Sequence, residues 1–410
     1  MRAAMTMMQI SDRDATSDVP RIIISVCLAL CVMNAFALTV SAVSGQWILD
    51  TGGLGIPTDF ANVYAAGKLV LDGYPATAYD WDAHKRVQEV VLGQSFDGYF
   101  GWHYPPPFLF IAALLAKLPY TAAFAGWMAL SFIPYLLTIR ALTGHRIGWV
   151  IACAFPVALV NVMIGQNGFL TASLIGGTLY LMPKRPVLAG VCLGLLTYKP
   201  QYGLLFPLVL IAGGYWRTFF SAAVTAILVV GLSWLAFGRE TWMTFFHWLP
   251  RASQAFLSDG FAEFGKMQSA LSLTRFLGGG DAIARVMQWS VTSIVAVALI
   301  LLWRRRLPFE IKAAALATGT LLATPYLYLY DMVVLAIPMA LMIRIGLADG
   351  FRKYELPALG VATALLVSFQ FVVAPVGFAA TLIVAWLIAL RAAASWNQDR
   401  ESFARTSPRM

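Results

Sequence analysis

Charged residues are scarce in this chain of 410 residues, at 12%, whereas they make up about a quarter of an ordinary soluble domain. Hydrophobic residues account for 60%, and the mean hydropathy is +0.73. So little polar surface cannot cover the cores that such a chain would bury, which excludes a water-soluble enzyme. Because apolar runs of about 20 residues recur from end to end, the sequence predicts an all-α polytopic membrane protein with a single integral-membrane domain, residues 1–410.

Cysteine is also rare, and its positions suit neither a disulfide nor a metal site. The four cysteines all lie inside apolar segments, at Cys27, Cys31, Cys153 and Cys192. In such segments they are typical of small hydrophobic side chains. A P-loop, a glycine-rich dinucleotide turn, an HExxH motif and a Ser–His–Asp signature are all missing. The sequence therefore predicts no metal ion and no cofactor.

The distribution of charge is typical of membrane proteins. Lysine and arginine outnumber the acids by 29 to 20, but they stand in short clusters between apolar runs and form no basic stripe. This is the positive-inside pattern of cytoplasmic joints, so we expect membrane lipids and no nucleic acid as partners. Residues 50–104 contain seven acids and three bases, which predicts a loop on the outer side.

The apolar runs and their joints divide the chain into seven stretches. We expect a cytoplasmic tail, a first helix, an outer loop with interfacial helices, a group of helices, a second outer loop, a second group of helices and a cytoplasmic tail, at residues 1–21, 22–49, 50–104, 105–237, 238–270, 271–391 and 392–410. About twelve membrane helices (11–13) fit this division. Residues 106–118 are ambiguous, since a helix of about 20 Å either re-enters a ~30 Å core or begins a kinked span.

Asp59 follows the first helix at the point where the chain leaves the membrane. Partial desolvation there would raise the proton affinity of its carboxyl group and suit a general base. A helix N-cap or a solvated loop acid is the alternative, because a helical pattern begins at the next residue. Tyr104 precedes three prolines that would aim His103 or Tyr104 rigidly. The alternative for Tyr104 is an interfacial aromatic residue at a stiff hinge.

Several further polar residues interrupt apolar runs, and such residues are functional hypotheses in a membrane protein. Lys199 has no acid nearby in the sequence, so it either binds a lipid phosphate or extends to the headgroups. Asp331, after a tyrosine-rich turn, is either a second acid of the site or the partner of Lys199 in an ion pair. Gln166 and Asn167 either contact a substrate or hydrogen-bond between helices.

Residues 238–270 combine charged side chains with aromatic ones. Aromatic faces among charges suit a sugar or an interfacial lipid. The interpretation we favour is an amphipathic interface helix that carries part of an aromatic belt. No residue of this stretch is therefore predicted as part of the site.

Taken in order, several short segments resemble one family. Asp59-Phe60 with Tyr64-Ala65-Ala66 follows the first helix, and the later segments are Gly73 to Asp80, Tyr104-Pro105-Pro106, Gly165-Gln166-Asn167-Gly168, Ala189-Gly190 to Lys199-Pro200, and Thr324 to Asp331. Their order and spacing resemble glycosyltransferase family 87, the polyprenol-phosphate-mannose-dependent mannosyltransferases of the GT-C superfamily. The resemblance covers residues 40–345.

The resemblance implies a GT-C-like helical bundle and an inverting hexosyltransferase with its site at the outer face of a bacterial plasma membrane. The donor would be a sugar, mannose by preference, on a polyprenyl phosphate, and the acceptor a lipid or a glycan. Asp59 falls on the essential acid of the family and Lys199 on its Lys-Pro. Tyr326 stands where many relatives carry a histidine after Ser/Thr-Pro. Tyr104, Gln166, Asn167, Tyr326 and Asp331 are then candidates for binding the substrate or the donor phosphate.

Two other functions fit the composition. A lipid or sugar transporter would place its charged and helix-breaking residues near the middle of the membrane. A structural or assembly subunit would tolerate the loss of Asp59. The candidates here gather at one face, beside a long acidic loop, which favours transfer chemistry.

Overall fold

The computed structural model describes residues 18–260 and 263–406, with side chains as far as Trp396. In these ranges the chain forms α-helices, short 3₁₀ and π turns and isolated β-bridges, without a β-strand. The helices, α1 to α17, are Arg21–Val43, Asp59–Leu71, Trp81–Leu92, Leu109–Leu115, Tyr120–Thr143, Ile147–Ala154, Pro156–Ile164, Gly168–Leu181, Pro186–Gly194, Phe206–Gly213, Trp216–Ser253, Ala270–Phe276, Asp281–Arg304, Phe309–Ala323, Ala336–Asp349, Glu355–Ser368 and Val376–Thr406. The predicted all-α class is confirmed.

Six helical segments of the described part are long and apolar enough to cross a membrane: Arg21–Val43, Tyr120–Thr143, Trp216–Ser258, Asp281–Arg304, Leu329–Asp349 and Val376–Trp396. Helices α6 and α7 are bent by 57° and form a seventh if they make one broken span. The chain is thus a multi-pass membrane protein. Five shorter apolar helices would also have to cross for the predicted count of twelve, which stays a prediction.

One predicted boundary is wrong, and two stretches predicted to lie outside the membrane are helical. The first helix ends at Val43 and not at residue 49, because Gly45 adopts a left-handed conformation (φ 65°) that cannot continue a helix. Residues 239–253 form the second half of α11 after a kink at Gly238 (φ 79°), with Trp242 and Phe245 buried. The stretch is thus helical, as the favoured interpretation expects, and its position outside the membrane stays a prediction. The predicted C-terminal tail from residue 392 is helical to Thr406.

The structure describes only residues 18–21 of the predicted N-terminal tail but all of the ambiguous stretch 106–118. Residues 1–17 of the predicted N-terminal tail lie outside the described residues. The ambiguous stretch 106–118 forms a 3₁₀ turn, Pro106–Phe108, followed by α4 with only seven residues. At 1.5 Å per residue this helix is about 10 Å long, so it cannot cross a membrane core by itself.

Arg344 of α15 marks the basic end of the bundle. Its side chain lies 3.9 Å from Glu310 of α14 and donates a hydrogen bond to the carbonyl oxygen of Leu142 in α5. The opposite ends of α14 and α15 lie at Thr324 and at the 3₁₀ turn Leu329–Leu335, respectively. The basic joints and the tyrosine-rich turn are therefore at opposite ends of these two helices.

Close packing between α2 and α4 places the start of α2. Gly67 faces α4 so closely that a Cβ atom on it would lie 2.0 Å from the carbonyl oxygen of Ala112. Residues 60–67 of α2 are all buried, which is unusual for an interfacial helix. Because α2 is enclosed on this side, its first residue, Asp59, is held against the interior of the bundle.

Candidate active site

A cavity of about 1000 Å³ brings together six of the seven predicted site residues: Asp59, Tyr104, Gln166, Lys199, Tyr326 and Asp331. These residues come from segments up to 272 positions apart in the chain, yet they line one space. Asn167 does not line the cavity. This residue is 1% exposed, so a direct contact with a substrate is not favoured for it.

Asp59 is the first residue of α2, and its side chain reaches the cavity. Thr58, in an extended conformation, occupies the N-cap position. The alternative interpretation of Asp59 as the N-cap is therefore wrong. The Nε2 of Gln166 donates a hydrogen bond of 2.8 Å to Oδ2 of Asp59. A carboxylate at the first turn of a helix also gains from the partial positive charge of the helix N-terminus.

Gln166 holds the carboxyl group of Asp59 in one orientation. Its Oε1 accepts hydrogen bonds from the backbone N–H of Asn167 at 3.1 Å and from the hydroxyl of Tyr104 at 3.2 Å. A backbone N–H can only donate, so the oxygen of the amide must face Asn167 and its NH₂ must face Asp59. Gly165, in a left-handed conformation (φ 70°), ends α7 and turns the chain so that Gln166 reaches the cavity.

Burial raises the pKa of Asp59 above its ordinary value. The hydrogen bond from Gln166 and the positive charge of Lys199 act against this shift, and the charge of Asp331 adds to it. The balance leaves a carboxylate with increased proton affinity that is still oriented by a donor. This combination suits a general base.

Lys199 forms a buried ion pair with Asp331. Nζ lies 2.5 Å from Oδ1, and the two residues are 5% and 2% exposed. Lys199 stands between two 3₁₀ turns, Leu195–Tyr198 and Pro200–Gly203, which direct it inward. The alternative in which Lys199 extends to the headgroups is wrong, and the alternative of an ion pair is confirmed.

Three tyrosine rings surround the ammonium group of Lys199. Its Nζ lies 5.9, 5.7 and 5.3 Å from the ring centroids of Tyr104, Tyr202 and Tyr330. Ring faces carry partial negative charge and attract a cation. An ammonium group has three N–H bonds, and in the described part of the chain only Asp331 accepts a hydrogen bond from it. The remaining N–H bonds are available to a ligand in the cavity.

Tyr104 connects the two charged groups. Its hydroxyl bonds to Gln166, its ring faces Lys199, and its carbonyl oxygen accepts a hydrogen bond of 2.9 Å from the hydroxyl of Tyr79. The 3₁₀ turn Pro106–Phe108 follows directly. The prolines thus fix the backbone beside a residue that lines the site.

Tyr326 belongs to a row of tyrosines on the far wall. Its ring contacts Tyr328 at 5.1 Å, and Tyr328 stacks on Tyr330 at 5.4 Å. The backbone N–H of Gln268 donates a hydrogen bond of 2.7 Å to the carbonyl oxygen of Leu327. The segment before α12 thereby holds the tyrosine row in place.

Asn62 and Phe256 also line the cavity, although neither is predicted from the sequence. Asn62 is three residues after Asp59 in α2, so the helical spacing would have placed both on one face. Phe256 lies in the π turn Gln254–Ser258 that extends α11. No local signal identifies it, because its position depends on the path of α11 beyond Gly238. In the described residues, no three His, Cys, Asp or Glu side chains are grouped to hold a metal ion.

Comparison with known proteins identifies the family. No curated protein and no solved structure matches the chain. The family model of glycosyltransferase family 87 matches residues 102–325, more than half of the chain. The matched range includes Tyr104, Gln166 and Lys199, whereas Asp59 precedes it and Asp331 follows it. The chain belongs to glycosyltransferase family 87.

Proposed function

We propose that this glycosyltransferase transfers a hexose, with mannose as the expected sugar, from a polyprenyl-phosphate donor to a hydroxyl group of a lipid or glycan acceptor. The observation that carries this proposal is one cavity that holds both a buried ammonium group and the carboxylate of Asp59, which forms no ion pair with the residues that the structure describes. The first can take a proton, and the second can meet a phosphate. A transfer from a sugar phosphate to a hydroxyl needs both.

Asp59 is the proposed base. It removes the proton of the acceptor hydroxyl while that oxygen forms a bond to the anomeric carbon. The bond between the anomeric carbon and the phosphate oxygen breaks on the opposite face, and its electron pair leaves with the phosphate. The configuration at the anomeric carbon is therefore inverted. Asp331 is less suited to this role because its Oδ1 already accepts a hydrogen bond from Lys199.

Lys199 is the proposed contact for the phosphate. Negative charge develops on the leaving oxygen, and a preorganised cation in a cavity shielded from water stabilises it. Asp331 and the three tyrosine rings hold the ammonium group in place before the donor arrives. The apolar wall formed by Leu249, Leu257 and Phe369 of the same cavity suits the first isoprene units.

The proposed site opens on the outer side of the bacterial inner membrane, which is the plasma membrane of the cell. Asp331 lies at the end of α15 opposite to Arg344, and basic joints are retained in the cytoplasm. The acidic loop 50–104 contributes Asp59 and Tyr104 to the cavity. Both features support an outward position, from which a lipid-linked donor is available and a nucleotide sugar is not.

The test is transfer of labelled mannose from polyprenyl phosphate mannose by the purified full chain, with Asp59→Asn, Asp331→Asn and Asp72→Asn compared. Asp72→Asn is the matched control, since Asp72 is an exposed acid at the other end of α2. We expect Asp59→Asn to lower kcat by about 10²–10⁴-fold and the control to be unchanged. Equal turnover by Asp59→Asn would exclude Asp59 as the base. Failure of the native chain with every polyprenyl-phosphate sugar would refute the donor and favour a transporter.

A further inference from the structure

The residues that line the cavity form two parts, and each contains a neighbour of Asp59: Gln166 through a hydrogen bond and Asn62 on the same face of α2. The first part is the one assigned above to the phosphate, with Gln166, Tyr104 and Lys199. The second part, here called the acceptor ring, consists of Asn62, Gly101, His103, Phe256 and Tyr326, all of which line the cavity. In the proposed reaction the acceptor hydroxyl and the anomeric carbon of the donor lie in different subsites. The base must therefore be close to both subsites.

The acceptor ring is continuous. Asn62 lies on the same face of α2 as Asp59, and its Nδ2 donates a hydrogen bond of 2.9 Å to the carbonyl oxygen of Gly101. Gly101 touches His103 so closely that a Cβ atom on it would lie 2.1 Å from the Nε2 of His103. The ring centroids of His103 and Phe256 are 4.7 Å apart.

Phe256 and Tyr326 close the acceptor ring. Their ring centroids are 5.8 Å apart, with planes at 84°. Burial raises the pKa of the Tyr326 hydroxyl, with smaller contributions from Tyr328 and from the charge of Asp59. Tyr326 and Asp59 line the same cavity, so the acceptor ring and the proposed base share one space.

The side chains of the acceptor ring are aromatic or uncharged. Burial lowers the pKa of His103 to about 4, so its imidazole carries no charge near neutral pH. The Oδ1 of Asn62 is buried and has no hydrogen-bond partner in the described part of the chain. Two lysines line the cavity: Lys199 is paired with Asp331, and Lys266 is exposed and lies 3.2 Å from Glu263. The acceptor ring itself contains no lysine or arginine, so none of its own side chains would pair with an anionic ligand.

We propose that the acceptor ring binds the neutral sugar ring of a glycan acceptor. An apolar sugar face lies against Phe256 and Tyr326, and sugar hydroxyls bond to the neutral groups of Asn62 and His103. A further hydroxyl then points at Asp59. This inference rests on the proposed function and narrows its acceptor, since an anionic phospholipid headgroup does not match the neutral wall.

The acceptor is tested with the full chain in detergent, using polyprenyl phosphate mannose as the donor. Mannobiose is the neutral acceptor, and phosphatidylglycerol in mixed micelles is the anionic one. We expect transfer to mannobiose at the higher kcat/KM. A preference for phosphatidylglycerol overturns the inference and leaves the proposed function intact. No transfer to either acceptor or to water would count against both.

Substitutions then locate the sugar. Phe256→Ala is compared with Phe246→Ala, an exposed phenylalanine of α11 that does not line the cavity. An aromatic contact contributes up to about 1.5 kcal/mol, so the KM for mannobiose should rise by about tenfold in Phe256→Ala. The KM for the donor should stay within twofold. A rise in the donor KM alone, or equal kinetics of both variants, would overturn the assignment.

His103 provides a second comparison. His103→Leu should raise the KM for mannobiose, and His103→Gln, which keeps a neutral hydrogen-bonding group, should recover part of the loss. The control is His247→Leu, since His247 is exposed on α11. Binding of mannobiose to Asp59→Asn, measured by saturation-transfer NMR, needs no turnover. If mannobiose binds as tightly when Phe256→Ala is added to Asp59→Asn as it binds to Asp59→Asn alone, the proposal is contradicted.

Discussion

Removal of either partner of the buried Lys199–Asp331 pair should destabilise the protein, and the two losses should be unequal. Lys199→Met leaves the buried carboxylate of Asp331 without its cation and also removes the contacts of the ammonium group with three tyrosine rings. Asp331→Asn leaves an ammonium group beside the same rings, whose faces attract it. The surroundings of the pair therefore favour the cation over the anion.

The size of the difference follows from the geometry. Removing one partner of a buried pair costs about 3–5 kcal/mol of the free energy of unfolding. The three rings lie 5.3–5.9 Å from Nζ of Lys199, near the far limit of a cation–π contact, so each contributes about 0.5–1 kcal/mol. Lys199→Met loses these contacts and Asp331→Asn keeps them. The loss should thus be larger for Lys199→Met by about 1.5–3 kcal/mol.

Equilibrium unfolding in mixed micelles measures these losses. The double variant Lys199→Met with Asp331→Leu removes both charges, and we expect it to lose less than either single variant, because replacing a whole buried pair by apolar residues is often neutral or stabilising. All three variants should lack transferase activity. Additive losses in the double variant, or a larger loss in Asp331→Asn than in Lys199→Met, would refute this reasoning.

Three further outcomes follow from the site and its support. Burial raises the pKa of Asp59, and a protonated carboxyl group cannot act as the base. A pH profile of kcat should therefore fall on its acidic side at a pH above the ordinary range of aspartate pKa values. Gln166→Leu should move that fall to still higher pH, because the hydrogen bond that lowers the pKa of Asp59 is lost. Gly67→Val should cost about 1–3 kcal/mol of unfolding free energy, since a Cβ there lies 2.0 Å from the oxygen of Ala112. Gly126→Val is the matched control, because a Cβ at Gly126 meets open space.

The fold class can be predicted from the sequence, because it depends on hydropathy and charge, which are read directly from the residues. Long apolar runs with few charges can satisfy their backbone hydrogen bonds in a membrane only as helices. The boundaries were harder to predict, as α11 shows. Charged and aromatic residues from Gly238 onward predict an outer stretch with an interface helix, and the structure has a helix there after a kink at Gly238. The local pattern does not show that Trp242 and Phe245 are buried, because their burial depends on distant packing partners.

The site was predicted in part. Asp59, Tyr104, Gln166 and Lys199 each stand at a polar interruption of an apolar pattern, and such interruptions are visible in a sequence. Partners across the chain are not visible in this way. The sequence allows two roles for Asp331, a second acid of the site or the partner of Lys199 in an ion pair. Only the distance of 2.5 Å between Nζ of Lys199 and Oδ1 of Asp331 identifies the ion pair. Phe256 left no local signal at all.

The amino-acid sequence by itself determined that this chain is helical, crosses a membrane and resembles glycosyltransferase family 87. Hydropathy, charge pattern and short ordered motifs are local properties, and a chain carries them before it folds. The tertiary structure alone decided which polar groups share a cavity, that Gln166 orients Asp59 and that Asp331 neutralises Lys199. These facts depend on contacts between segments more than 100 residues apart, which arise only when buried faces of distant helices pack together.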